Sequence, residues 1–189
     1  MSYTAKRVIL LLMAWGLLVF AGVTIRINMN TPPVAGFSAT PTPLAGPADS
    51  VDRALELQRA LEANPNDLAA MTELAGLFYD DQDWPSALLL YERAATLDPH
   101  NVDILVHQAA CQLYTQQFGV ARQTLDQAGQ LAPRRADIHL LLGLAASRQS
   151  PPDSARANQE WHRVLELAPG TDLARQAQAL LDGAARPQQ

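Results

Sequence analysis

Residues 68–101 read LAAMTELAGLFYDDQDWPSALLLYERAATLDPHN, and this stretch decides the fold. Apolar side chains recur at three- and four-residue spacing through Met71, Leu74, Ala75 and Phe78, and again through Ala87, Tyr91 and Ala94. That period belongs to an α-helix with one buried face. Between the two runs, Asp80-Asp81-Gln82-Asp83 reads as a solvated turn. Pro99 ends the second run, because the residue before a proline is pushed out of the α region. The stretch therefore predicts two helices joined as a hairpin.

The same punctuation recurs on both sides. Asn64-Pro65-Asn66, Asp98-Pro99-His100 and Ala132-Pro133-Arg134 are evenly spaced, and Ala168-Pro169-Gly170 follows two positions later than that spacing requires. Asn66 or Asp67, Asn101 and Thr171 stand where a side chain caps the next helix. A helix–turn–helix unit with a period of about 34 residues resembles the tetratricopeptide repeat. Met71, Leu74, Ala75 and Phe78 match the apolar-Leu-small-aromatic set of that family's first helix, and Ala87, Tyr91 and Ala94 the small-aromatic-small set of its second. The second unit, 102–135, keeps Leu105, Ala109, Ala121, Leu125, Ala128 and Pro133. It departs at Gln108 and Gln112, where Leu and an aromatic are usual. A buried glutamine needs hydrogen-bond partners, so either these amides meet carbonyls or the helix is rotated. The third unit, 136–171, keeps Leu142, Gly143, Ala157, Trp161 and Pro169, with two extra residues in the turn Gln149–Ser154.

A half repeat at 50–67, with Leu57 and Ala60 in the expected places, precedes these units, and a capping helix at 171–182, with Gly183 placed to end it, follows them. The resemblance thus implies an all-α solenoid of eight helices over residues 50–185.

Before it, Val8–Ile25 runs without a charge, flanked by Lys6, Arg7 and Arg26. At about 1.5 Å per residue such a helix reaches roughly 27 Å, enough for a hydrocarbon core. The run is longer than a signal-peptide core, and Ala21-Gly22-Val23 is a poor cleavage site. Residues 1–27 are expected to form an uncleaved transmembrane helix. Lys6 and Arg7 orient it with the N-terminus in the cytoplasm and the repeats outside, in the periplasm of a bacterial inner membrane. Residues 28–49, with Pro32, Pro33, Pro41, Pro43 and Pro47, read as an extended linker.

Composition narrows the chemistry. The chain of 189 residues has a net charge of −5, with no basic stripe of the kind a nucleic acid requires. Cys111 is the one cysteine, which excludes a disulfide framework, a cysteine zinc site and a haem-attachment motif. No P-loop, zinc-helix, nucleophile-elbow or dinucleotide motif is present. The histidines are His100, His107, His139 and His162; His107 and His139 fall on adjacent first helices but lack further ligands at metal spacing. The reading is a non-enzyme without cofactor or metal.

Solenoids work through a concave face. In the tetratricopeptide family it is lined by the second, fifth, ninth and twelfth residues of each first helix. The resemblance carries this onto Ala69, Thr72, Gly76 and Tyr79, then Asp103, Val106, Ala110 and Leu113, then Asp137, Leu140, Leu144 and Ser147. The family's chaperone-tail receptors place Lys, Asn and Arg at the fifth and ninth positions, and that clamp is absent. The expected groove is apolar, with Tyr79 at one end, suited to an apolar peptide or amphipathic helix. The alternative is that Val106, Leu140 and Leu144 are core. The layout of anchor, linker and small repeat domain is similar to repeat subunits of bacterial c-type cytochrome maturation and haem-lyase complexes, and the stretch Glu160–Pro169 looks like their repeats. That resemblance implies a subunit holding apocytochrome during haem attachment. The alternative function is a general envelope-assembly adaptor for secretion, pili or a translocon.

Overall fold

A computed structural model describes residues 47–184 of the chain. The expected membrane segment Val8–Ile25 and the linker up to residue 46 lie outside the described residues. Among the described residues there are eight helices: α1 Pro47–Ala63, α2 Leu68–Asp80, α3 Trp84–Leu97, α4 Val102–Tyr114, α5 Phe118–Leu131, α6 Ala136–Arg148, α7 Ser154–Leu167 and α8 Asp172–Ala184. None of them is long and apolar enough to cross a membrane. α1 begins three residues before the expected boundary at 50, so Pro47 opens a helix rather than ending the linker. Proline is favoured in a first turn, where its missing N–H has no acceptor to serve. α8 runs through Gly183 to Ala184 instead of stopping at 182.

The helix starts follow from side-chain caps. Asp67 accepts from the Ala70 amide at 3.0 Å, Asn101 from Ile104 at 3.3 Å and Thr171 from Ala174 at 3.3 Å. Asp83 and Asp153 do the same inside their hairpins, at 3.3 and 3.0 Å. Gln117 and Arg135 open α5 and α6 without such a bond.

Each helix packs on the one before and the one after; in addition α4 touches α6, and α6 touches α8. Small residues occupy the closest approaches: Ala75, Ala87, Ala94, Ala109, Ala121 and Ala128 have no exposed surface. Met71, Leu125, Ile138, Leu140 and Leu141 fill the larger spaces. Gln112 is buried and satisfied by a hydroxyl rather than a carbonyl, its Oε1 accepting from Thr124 Oγ1 at 3.0 Å. Gln108 is half-buried, and its Oε1 has no hydrogen-bond partner among the described residues.

Adjacent units are also strapped together. The Arg93 guanidinium donates to the Pro65 carbonyl at 3.0 Å, and Gln127 Nε2 to the Pro99 carbonyl at 3.1 Å. Both donors stand six residues before a closing proline. In the third unit Arg163 holds that position but turns to Glu166 at 2.6 Å. The turns inside the hairpins differ as well. The first two pass through Gln82 and Gln116 in the left-handed region, at φ 61° and 63°. The third has no such residue and uses its longer turn instead.

Candidate partner-binding site

The residues expected to line an apolar groove divide into two groups. Val106 and Leu140 have no exposed surface, Ala110 1% and Leu144 6%. Leu113 and Tyr79 are buried too. This corrects the groove: these six side chains belong to the core. The cause is their position, because α4 and α6 are each packed on both sequence neighbours and also touch each other. α6 is the extreme case, with nine of its thirteen residues buried. Accessible surface remains at Ala69 and Asp103, while Thr72, Gly76, Asp137 and Ser147 are half-exposed. Thr72 bonds back to the Leu68 carbonyl at 2.9 Å, and Ser147 to Leu144 at 3.0 Å, so both hydroxyls are held on their own helices. Asp103 and Asp137 are both ion-paired to Arg135.

Tyr79 instead belongs to an aromatic cluster that the repeat pattern does not disclose. At the end of α2 its ring meets Trp84 edge-on at 4.8 Å and Tyr114 at 6.1 Å. Trp84 and Tyr114 stack with centroids 4.0 Å apart and planes 11° apart. On the other side Tyr91 stacks on His107 at 5.4 Å. Tyr79 and Tyr91 are buried, whereas Trp84 and Tyr114 keep part of their surface in solvent. Burial pushes the phenols of Tyr79 and Tyr91 well above the ordinary tyrosine range, so both stay neutral. The sequence signal for this ledge is positional: Trp84 opens one helix and Tyr114 closes another, so both lie beside turns at the same end of their hairpins.

The ledge borders the turn Asp80–Asp83, which is structural in part, since Asp83 caps α3 and Gln82 supplies the left-handed residue. Asp80 is pushed up by burial and by Asp81 beside it. Charge is unevenly divided along the chain. Residues 49–101 hold eleven acids and three arginines, whereas residues 102–189 hold eight of each.

The other candidates for chemistry resolve into packing. Cys111 is buried, and loss of solvent pushes its thiol up to about 12, which leaves no thiolate at neutral pH. His107 turns its Nδ1 to the Asp103 carbonyl at 2.7 Å, and His139 turns to Glu160 at 2.8 Å.

The described residues form an all-α solenoid of eight helices, each packed on its sequence neighbours. The comparisons agree: residues 78–145 match the family model of the tetratricopeptide repeat. Anaphase-promoting complex subunit 3 of Schizosaccharomyces pombe is 31% identical over 86 residues, which is 46% of this chain and 13% of that protein. The chain therefore spans only a small part of the curated relative it matches. Among solved structures, MamA aligns with a TM-score of 0.62 at 19% identity, over 72% of this chain and 83% of its own. The Yersinia enterocolitica type III secretion chaperone SycD, in complex with a peptide of the translocator YopD, aligns with a TM-score of 0.57 at 14% identity, over 62% of this chain and 91% of its own. Likeness at these identities speaks for the fold alone.

Proposed function

We propose that this chain is a repeat scaffold that holds a protein or peptide partner, tethered to a bacterial inner membrane through Val8–Ile25 with its repeats in the periplasm. The observation that carries the binding role is the half-exposed Trp84–Tyr114 stack at one end of the first two hairpins. Aromatic side chains supply much contact area at low entropic cost, and they anchor interfaces more often than other residue types. Thr72 and Gly76 on α2 are half-exposed as well, and their small size leaves room for a partner's side chains. That a structural neighbour, SycD, is seen with a translocator peptide supports the same use of the fold. No catalytic role is assigned.

Within that reading, the partner chemistry is an apolar or amphipathic helix, and apocytochrome awaiting haem is the specific candidate suggested by the layout. An adaptor for secretion, pili or a translocon is the second reading, favoured by the SycD likeness.

A photoreactive residue at 72 or 84 of the full chain, expressed in its own cells, tests the site. Crosslinking to one protein from both positions, and none from the turn position 153, is the expected result. Equal capture from all three would overturn it. Haem staining of membranes separates the two readings: deletion of the gene lowers covalently haem-bound cytochromes under the first and leaves them unchanged under the second. The tether is tested by alkaline carbonate, which should leave the chain in the membrane pellet.

A further inference from the structure

The Pro133 carbonyl is held differently from its counterparts at Pro65 and Pro99. Those two accept from the permanently donating groups Arg93 and Gln127. The Pro133 carbonyl instead faces His139 Nε2 at 3.2 Å, while His139 Nδ1 faces Glu160 Oε2 at 2.8 Å. A peptide carbonyl and a carboxylate are both acceptors. An imidazole serves both at once only when each of its nitrogens carries a proton. The ring is enclosed, with its side chain 17% exposed and that of Glu160 16%.

We propose that His139 is a proton-controlled latch between the second and third repeats. In its protonated form it ties the α5–α6 turn to α7 through Pro133 and Glu160. In its neutral form one of the two contacts must be given up, and this link between the α5–α6 turn and α7 opens.

The surrounding charges are consistent with this. From α7, Glu160 faces the ring, Arg156 Nε lies 3.6 Å from the other Glu160 oxygen, and Arg163 opposes the positive ring. His162 and Glu166 line the same depression. From α5, Asp126 pairs with the far end of the Arg156 guanidinium at 2.8 Å, so Arg156 is shared between Asp126 and Glu160 Oε1 while Glu160 Oε2 faces His139. At the start of α6 itself, Arg135 and Asp137 are paired with each other. The Glu160 hydrogen bond raises the imidazole above the ordinary histidine range and outweighs burial, which lowers it. The folded value lies above the unfolded one, so the latch contributes its full stability below the unfolded value. That contribution is lost as pH rises through the folded one.

The test is an NMR pH titration of the full chain with labelled histidine, the His139 signal being identified by its absence in His139→Gln. The expected midpoint lies above that of a free histidine, about 6.5, and moves down in Glu160→Gln. The melting-temperature advantage of wild type over Glu160→Gln should also shrink as pH rises through that midpoint. A midpoint at or below the free value, one unmoved by Glu160→Gln, or a pH-independent advantage would each overturn the latch. Should His139→Gln fail to fold, replacing His100, His107 and His162 in turn identifies the remaining signal, and the same outcomes apply.

Discussion

The first and third repeats build the same helix crossing from different pairs of side chains. Eight residues before the closing prolines stand Tyr91, Leu125 and Trp161, and at the eighth position of each unit stand Ala75, Ala109 and Gly143. Where the second-helix residue is an indole, the first-helix residue has no side chain. A Cβ on Gly143 would lie 2.2 Å from Trp161 Nε1 and 2.5 Å from its Cδ1. The glycine of the first repeat is of another kind: a Cβ on Gly76 would meet only the Tyr91 hydroxyl, at 3.9 Å. Two glycines in one repeat pattern thus answer to different demands. Gly143 is required by the volume of a buried ring, and Gly76 by nothing in the packing, which is consistent with a position left small for a partner.

The largest expected effect tests whether the third repeat is closed where the first is open. Leu140→Asp or Leu144→Asp would bury an unpaired carboxylate at a cost of several kcal/mol, a large share of the roughly 5–15 kcal/mol that holds a domain together. Both variants should lose a cooperative urea transition, whereas Thr72→Asp should keep one. A Leu144→Asp chain that melts like wild type would show the groove to be open after all. Next in size, Gly143→Ala should overpack the indole and lower stability by about 1–3 kcal/mol. Adding Trp161→Leu recreates the Ala109–Leu125 pair of the second repeat and should recover part of that loss in a double-mutant cycle. Asn101→Ala removes the cap of α4 and should cost about 1 kcal/mol in the same unfolding assay. Smallest is Gly76→Ala, which relieves a helical glycine and should change stability by no more than about 1 kcal/mol, towards greater stability. A clear loss there would mean that the first repeat is packed as tightly as the third.

The hairpins are legible in the sequence because turn prolines at fixed spacing and a 3.6-residue period are local properties of the chain. Asp67, Asn101 and Thr171 are readable as caps for the same reason. The groove is not legible. Whether Val106 or Leu140 faces a partner or a neighbouring helix depends on how closely α4 and α6 approach, and both outcomes carry the same apolar residue. The aromatic ledge is hidden because Trp84 and Tyr114 belong to different hairpins and meet only when these stack. Gln112 shows the intermediate case: its need for a partner is readable, but the Thr124 hydroxyl that meets it comes from the next helix.

The straps on the turn carbonyls make the length of this protein adjustable in whole steps. Arg93 and Gln127 each reach the previous proline from six residues before their own, so the spacing of donor and acceptor does not depend on how many units the chain contains. Excising residues 102–135 would join Asn101 to Ala136 and set His139 six residues after Pro99, the separation it now has from Pro133. Duplication or loss of the second unit therefore leaves the junctions it touches with a donor at the matching position. A gene of this design can lengthen or shorten by one repeat's worth of codons without having to reinvent an interface.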